Sequence, residues 1–127
     1  MARILIIDDD PGVRALLRAV LEGAGYQVAE ESDGNRGVKR YRREGADLVI
    51  TDMLMPEKDG IEVITELRHH NPQVKVVAIS GGGRGLDAVF NLDMAQEFGA
   101  LHTIAKPFSP FQVLEAVDKL LEIPGEE

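Results

Sequence analysis

The sequence contains no cysteine and no tryptophan, and aromatic residues make up only 5% of its 127 positions. Without cysteine there is no disulfide and no thiolate-held metal, a composition that fits a reducing compartment. Near the amino end, Met1-Ala2-Arg3 is followed by only four apolar residues, Ile4 to Ile7. That is too short for the apolar stretch of a signal peptide or for a membrane span, so a cytoplasmic protein is expected. Positive charge is also scarce. Fourteen Lys and Arg stand against 22 Asp and Glu, a formal net charge of -8. This argues against nucleic acid as a direct partner, because phosphate backbones bind clustered Lys and Arg.

What is present suffices for one globular domain: 44% of residues are hydrophobic and 28% charged. A short apolar run, a turn and a helix-period segment recur five times. Arg3 to Ile7, Tyr26 to Glu31, Ala46 to Thr51, Val74 to Ile79 and Leu101 to Ala105 read as strands. Asp10-Pro11 opens the first helix, with Asp10 as its cap. Its apolar face is Val13, Leu16, Leu17, Val20 and Leu21, and Gly23 and Gly25 end it. A weaker helix runs from about Asp33 to Glu44, where Lys39, Arg40, Arg42, Arg43 and Glu44 suit a solvated face. The third helix starts near Asp59, lines one side with Gly60, Val63, Ile64 and Leu67, and stops at Asn71-Pro72. Gly81-Gly82-Gly83 is a turn, followed by a helix carrying Leu86, Val89, Phe90, Met94 and Phe98. The last helix has Ser109 as cap, Gln112 completing a capping box, and Phe108 and Val113 as a hydrophobic staple. Its buried face is Val113, Ala116, Val117, Leu120 and Leu121. Residues 1–122 are expected to form the domain and 123–127 a polar tail or linker remnant.

Alternating strands and helices make a parallel sheet covered on both faces, an α/β fold. The first, third and fourth strands are nearly continuous apolar runs, as central strands are. The second and fifth mix in Gln27, Glu30, His102 and Thr103 and suit the edges. The expected order is 2-1-3-4-5, a flavodoxin-like three-layer sandwich whose ligands bind at the carboxyl ends of the strands. Those ends deliver Asp8 and Asp9, then Asp52, Ser80 and Lys106.

Crowded carboxylates repel: two unit charges ~4 Å apart interact by about 4 kcal/mol at an effective dielectric near 20. A divalent cation relieves this, and an all-oxygen ligand set selects a hard one such as Mg2+. Mg2+ commonly combines one or two carboxylates with phosphate oxygens, which Lys106 and the Ser80 hydroxyl can also contact. A carboxylate nucleophile there would form an aspartyl phosphate. Other features read as structural. The Gly81 to Gly85 stretch matches neither a P-loop nor the dinucleotide spacing. His69 and His70 suit the dipole at a helix C-terminus, and His102 suits an exposed edge.

The chain resembles the receiver domains of two-component response regulators over about residues 1 to 122. The resemblance rests on Asp8-Asp9, on Asp52-Met53-Leu54-Met55-Pro56 followed by Asp59-Gly60, on Ser80, and on Lys106-Pro107-Phe108. It implies that Asp52 accepts phosphoryl from a sensor histidine kinase, a phosphotransfer protein or a small donor such as acetyl phosphate. It implies Mg2+ held by Asp9, Asp52 and the backbone carbonyl of Leu54, with Asp8 acting mainly through water. Lys106 would pair with the phosphoryl oxygens, Ser80 would move to hydrogen-bond them, and Lys106-Pro107 would be cis. The face of the fourth helix, fifth strand and fifth helix would then change, presenting itself to a downstream target or a second copy of the chain.

Two positions depart from the family pattern. Thr103 stands where the family often carries an aromatic that rotates inward with the hydroxyl, which puts coupling from Ser80 to the output face in question. Leu54 is apolar where many relatives are polar, which implies slow loss of the phosphoryl group. Two other functions remain open at this point. One is a small Mg2+-dependent phosphatase, since Asp8-Asp9-Asp10 superficially resembles the Asp-x-Asp motif of haloacid-dehalogenase-like hydrolases, although Pro11-Gly12 replaces the expected Gly-Thr. The other is a receiver that only binds partners, although no acidic residue, acceptor or lysine is missing.

Overall fold

The computed structural model describes residues 2–80 and 93–122. Its strands are β1 (Arg3–Ile7), β2 (Gln27–Glu31), β3 (Leu48–Asp52), β4 (Val76–Ser80) and β5 (His102–Ala105). Between and after them lie α1 (Pro11–Gly23), α2 (Gly34–Glu44), α3 (Gly60–His70), a helix whose described part is residues 93–98 (α4), and α5 (Pro110–Glu122). All strand pairs are parallel, in the order β2-β1-β3-β4-β5, as the strand compositions predict. The central strands β3 and β4 are buried throughout, whereas β2 and β5 are mostly half-buried or exposed.

The pleat sends alternate side chains to opposite faces. Ile4, Ile6, Leu48, Ile50, Val77, Ile79 and Ile104 pack with Leu17 and Leu21 of α1 and with Val113, Ala116 and Val117 of α5. Leu5, Ile7, Val49, Val76 and Ala78 pack with Val38 and Tyr41 of α2 and with Val63, Ile64 and Leu67 of α3. The sheet is thus the middle of three layers, with a core on each side. Among the described residues no helix is long and apolar enough to cross a membrane.

The Asp10 cap and the Ser109-Gln112 box fall where the sequence places them, and Asp33 and Asp59, expected only as helix starts, also cap their helices. Asp10 Oδ1 accepts from the Gly12 amide at 2.8 Å, and Asp33 Oδ1 accepts from Arg36 at 2.8 Å. Asp59 and Glu62 close a reciprocal capping box at α3, and Ser109 and Gln112 do the same at α5. Phe108 and Val113 belong to the same apolar cluster, consistent with a staple. Lys106-Pro107 is cis.

Four details differ from the sequence reading. Tyr26, Ala46, Val74 and Leu101 lie outside their strands, while Asp52 and Ser80 lie inside theirs, because pairing follows the neighbours' register rather than apolarity. Leu16 is not covered with the rest of the α1 face; it is 42% exposed. Leu121 is only partly buried at the rim of α5. The Gly81-Gly82-Gly83 turn, Leu86, Val89 and Phe90 lie outside the described residues, as does the 123–127 tail. Of the fourth helix's expected apolar face, Met94 is half-buried and Phe98 is exposed.

Candidate functional site

The register of the sheet brings its carboxyl ends level. Asp52 pairs with Ile79, and Ser80 pairs with Ala105. Ladder-like bonding runs one residue further: Asp8 N donates to Glu31 O at 3.2 Å, Met53 N to Ile79 O at 2.9 Å, and Lys106 N to Ser80 O at 2.9 Å. The chemistry-bearing residues are therefore tied into the hydrogen-bonded sheet or stand one residue beyond it.

Asp8, Asp9 and Asp52 meet at this rim. One carboxylate oxygen from each lies within 4.8 Å of the other two. Asp8 and Asp52 are buried, and Asp9 is exposed. Lys106 Nζ stands 3.7 Å from Asp8 Oδ2, an ion pair longer than a hydrogen bond. Asp10 is committed elsewhere, to the α1 cap.

Among the described residues, two buried polar side-chain atoms, Asp8 Oδ2 and Ser80 Oγ, have no hydrogen-bond partner. Leaving such a group unmatched costs about 1–3 kcal/mol and calls for an explanation such as a ligand. The electrostatics agree. Burial first, and then the charge of Asp8, push the Asp52 carboxyl up to about 6, while Lys106 and the Leu54 amide pull against the shift. Asp8 is also raised, chiefly by burial, with the Asp10 amide and Lys106 opposing. Both carboxylates are uncomfortable as anions in the bare protein. Oxygen ligands with an unmatched donor atom fit a hard divalent cation, and these three residues could hold one.

The loop after Asp52 is tightly fitted. The Leu54 amide faces Asp52 Oδ1 at 3.5 Å, and the Leu54 side chain is exposed. Lys58 N donates to Pro56 O at 2.8 Å across Glu57, which has a positive φ of 71°. Three-residue turns of this hand are rare and strained for a residue with a side chain. Gly60 N then bonds Met53 O at 3.0 Å, drawing α3 against the end of β3.

Thr103 is half-buried on edge strand β5, paired with Ala78. With His102, Ile104, Gln112 and Glu115 it lines a groove of about 290 Å³ between β5 and α5. His102 is exposed, and His69 and His70 occupy the last turn of α3, as expected. His70 also packs edge-on against Tyr41, ring centroids 5.9 Å apart.

A family model described as the response regulator receiver domain matches residues 4–118. The chain belongs to the response regulator receiver domain family. It is 35% identical over 119 residues to the chemotaxis protein CheY of Thermotoga maritima, covering 93% of this chain and 96% of that protein. It is 35% identical over 124 residues to sporulation initiation phosphotransferase F of Bacillus subtilis, covering 95% and 94%. A solved response regulator receiver domain protein from Clostridium thermocellum superimposes with a TM-score of 0.88 at 27% identity, covering 96% of this chain and 95% of that one. Receiver domains are signalling modules of two-component systems, acting with histidine kinases or phosphotransfer proteins and with downstream targets, and phosphorylation activates them.

Sequence reasoning gave Arg14 no role, and it assigned Leu16 to the apolar face of α1 rather than to the surface near this receiver's Lys106. Arg14 reaches back from α1 and donates to the Asp8 main-chain carbonyl at 2.8 Å. A backbone acceptor leaves no mark in a sequence, so only the fold reveals it. Leu16 joins Val13, Pro107, Phe108 and Lys106 in lining a surface cavity of about 350 Å³.

Proposed function

We propose that this receiver takes a phosphoryl group onto Asp52 from the phosphohistidine of a sensor histidine kinase or phosphotransfer protein, with Mg2+ bound beside it. The observation that carries the reading is the pair of orphaned polar atoms, Asp8 Oδ2 and Ser80 Oγ, on the rim that holds Asp52 and Lys106. Asp9, Asp52 and the Leu54 carbonyl would hold the cation, with Asp8 acting through water. The cation supplies positive charge that keeps the carboxylates ionised and neutralises phosphoryl oxygens.

In the transfer, an ionised Asp52 oxygen gives an electron pair to phosphorus. The bond from phosphorus to the donor's imidazole nitrogen breaks, and its pair stays on that nitrogen. Lys106 pairs with one oxygen of the arriving group, and the Ser80 hydroxyl donates to another. Ser80 gains a partner it lacks in the bare protein, and Lys106 adds a close partner to its long ion pair with Asp8, which gives phosphorylation a free-energy difference able to bias a two-state element. Residues 1–122 form the working unit, a cytoplasmic module that turns over only its own phosphoryl group. The α4-β5-α5 face presents the change to a target or to a second copy. Thr103 replaces the bulk of a rotating aromatic there, so switching rests on Ser80 and the main chain it pulls.

A protein donor needs surface to grip, and a small donor does not. Leu16 is 42% exposed and lies with Phe108 and Pro107 next to Lys106. Leu16→Asp is therefore expected to slow transfer from a phosphorylated histidine protein about 10-fold while leaving labelling by acetyl phosphate unchanged. Stopped transfer assays with both donors check this. Equal slowing with both donors would place Leu16 in the fold rather than in docking, and no transfer from any phosphohistidine donor to the unaltered chain would overturn the donor class.

A further inference from the structure

Asp9 is exposed, yet its carboxylate joins the buried carboxylates of Asp8 and Asp52. A surface side chain spreads over rotamers, and the backbone conformation beneath it decides which of them are allowed and where they point. Here the peptide on its amino side is gripped: Arg14 Nη1 donates to the Asp8 carbonyl at 2.8 Å. The peptide on its carboxyl side is held too, through the Asp10 amide donating to Asp8 Oδ1 at 2.9 Å. Arg14 is itself locked. Its Nε donates to Glu30 Oε1 at 2.8 Å, and Arg18, one turn on, donates to Glu30 Oε2 at 2.7 Å. Arg14 is mostly covered, its side chain 18% exposed. The planar guanidinium spans from edge strand β2 to the end of β1, which a point-charge lysine cannot do with two fixed bonds.

We propose that Arg14 is a positioning residue for cation binding: by clamping the Asp8-Asp9 peptide it aims the Asp9 carboxylate at Asp52. The proposal rests on the reading that the acidic rim binds Mg2+. It predicts a sign opposite to simple electrostatics. Removing a positive charge beside an acidic cluster should tighten cation binding, whereas losing the clamp should loosen it.

The test is Mg2+ affinity of the metal-free chain, measured calorimetrically with magnesium chloride and with no phosphoryl donor. Arg14→Met is expected to bind Mg2+ about 10-fold more weakly than the unaltered chain, the size of effect typical of groups that orient ligands. Arg18→Met removes the same charge from the same helix and shares Glu30, but makes no bond to Asp8; its affinity is expected to hold or rise. Arg14→Lys, which keeps the charge and guards against a folding defect in the methionine variant, is expected to fall between. Unchanged or tighter binding in Arg14→Met, or equal loss in Arg18→Met, would overturn the proposal. Asp9→Asn separates the two claims: if it binds Mg2+ as well as the unaltered chain, the acidic-rim reading fails and the proposal fails with it. If Asp9→Asn is weakened and the Arg14 variants are not, the positioning role alone fails.

Discussion

Gly60→Ala is expected to destabilise the chain by about 3 kcal/mol, a large effect for a single methyl group. A Cβ at position 60 would fall 2.6 Å from Met53 Sδ, 2.7 Å from Met53 Cα and 2.8 Å from the Asp52 carbonyl oxygen. Two of those atoms are backbone, so no rotamer change relieves the clash. The first turn of α3 must move away from the end of β3, and the Gly60 amide must give up its bond to Met53 O. Because Asp52 and Met53 are the residues pushed, Mg2+ affinity is expected to fall as well. Gly37 is a milder case, since the three atoms nearest its added Cβ, at 2.4 to 3.1 Å, all belong to the Ile7 side chain and none to backbone. Gly23 is the control: nothing lies within 4 Å of its Cβ position, so alanine there is expected to be neutral or slightly stabilising. Urea denaturation followed by circular dichroism suits a chain without tryptophan. A Gly60→Ala midpoint equal to that of Gly23→Ala would show that the β3–α3 junction is looser than described.

Asp52→Asn is expected to make the metal-free chain more stable at neutral pH, by about 2 kcal/mol. Burial and Asp8 raise the Asp52 carboxyl from 3.8 to about 6 in the folded state. A carboxyl whose folded value is raised binds its proton more readily in the native state than in the unfolded one. Metal-free stability therefore rises as pH falls from about 7 toward about 4.5, and Asp8 acts in the same direction. The amide carries no charge, so the Asp52→Asn profile is expected to be flatter across that window. At lower pH both proteins lose stability as Glu30 is protonated. Its carboxyl is lowered, first by Arg18 and then by Arg14, and the stability that lowering gives is present above 4.5 and lost as pH falls through its folded value. Saturating Mg2+ is expected to reverse the ranking at neutral pH, because a ligand of the native state stabilises in proportion to its affinity. A variant less stable than the unaltered chain at pH 7.5 in EDTA would mean that the Asp52 carboxylate is well accommodated without a cation.

Much of this site is legible in the sequence because its parts follow from position in the repeat. Each of Asp8, Asp52, Ser80 and Lys106 ends or follows a strand, and a parallel sheet must bring such ends to one rim. The strand order follows from which apolar runs contain Gln27, Glu30, His102 or Thr103, because a residue that keeps polar atoms needs an edge. Other features are set by groups that periodicity does not describe. Leu16 fits the helical spacing of the α1 face, but periodicity gives an angle on the helix and not how far the covering layer extends; Leu16 stays 42% exposed beside a surface cavity it shares with Phe108. Arg14 matters through a main-chain oxygen. Strand ends move by a residue or two because Asp52 and Ser80 follow their neighbours' register despite being polar. The Asp10 and Ser109 caps are legible, since a capping side chain acts on amides within three residues of itself, whereas the Asp59-Glu62 box at α3 emerges only from the structure.

The central claim is that Asp52 is the acceptor and that the acidic rim needs a divalent cation. Intact mass after incubation with acetyl phosphate tests both together, with Mg2+ or EDTA present, on the unaltered chain and on Asp52→Asn. The account predicts addition of one phosphoryl group that requires Mg2+ and is absent from Asp52→Asn. Labelling that survives in Asp52→Asn, or that proceeds equally in EDTA, would contradict it.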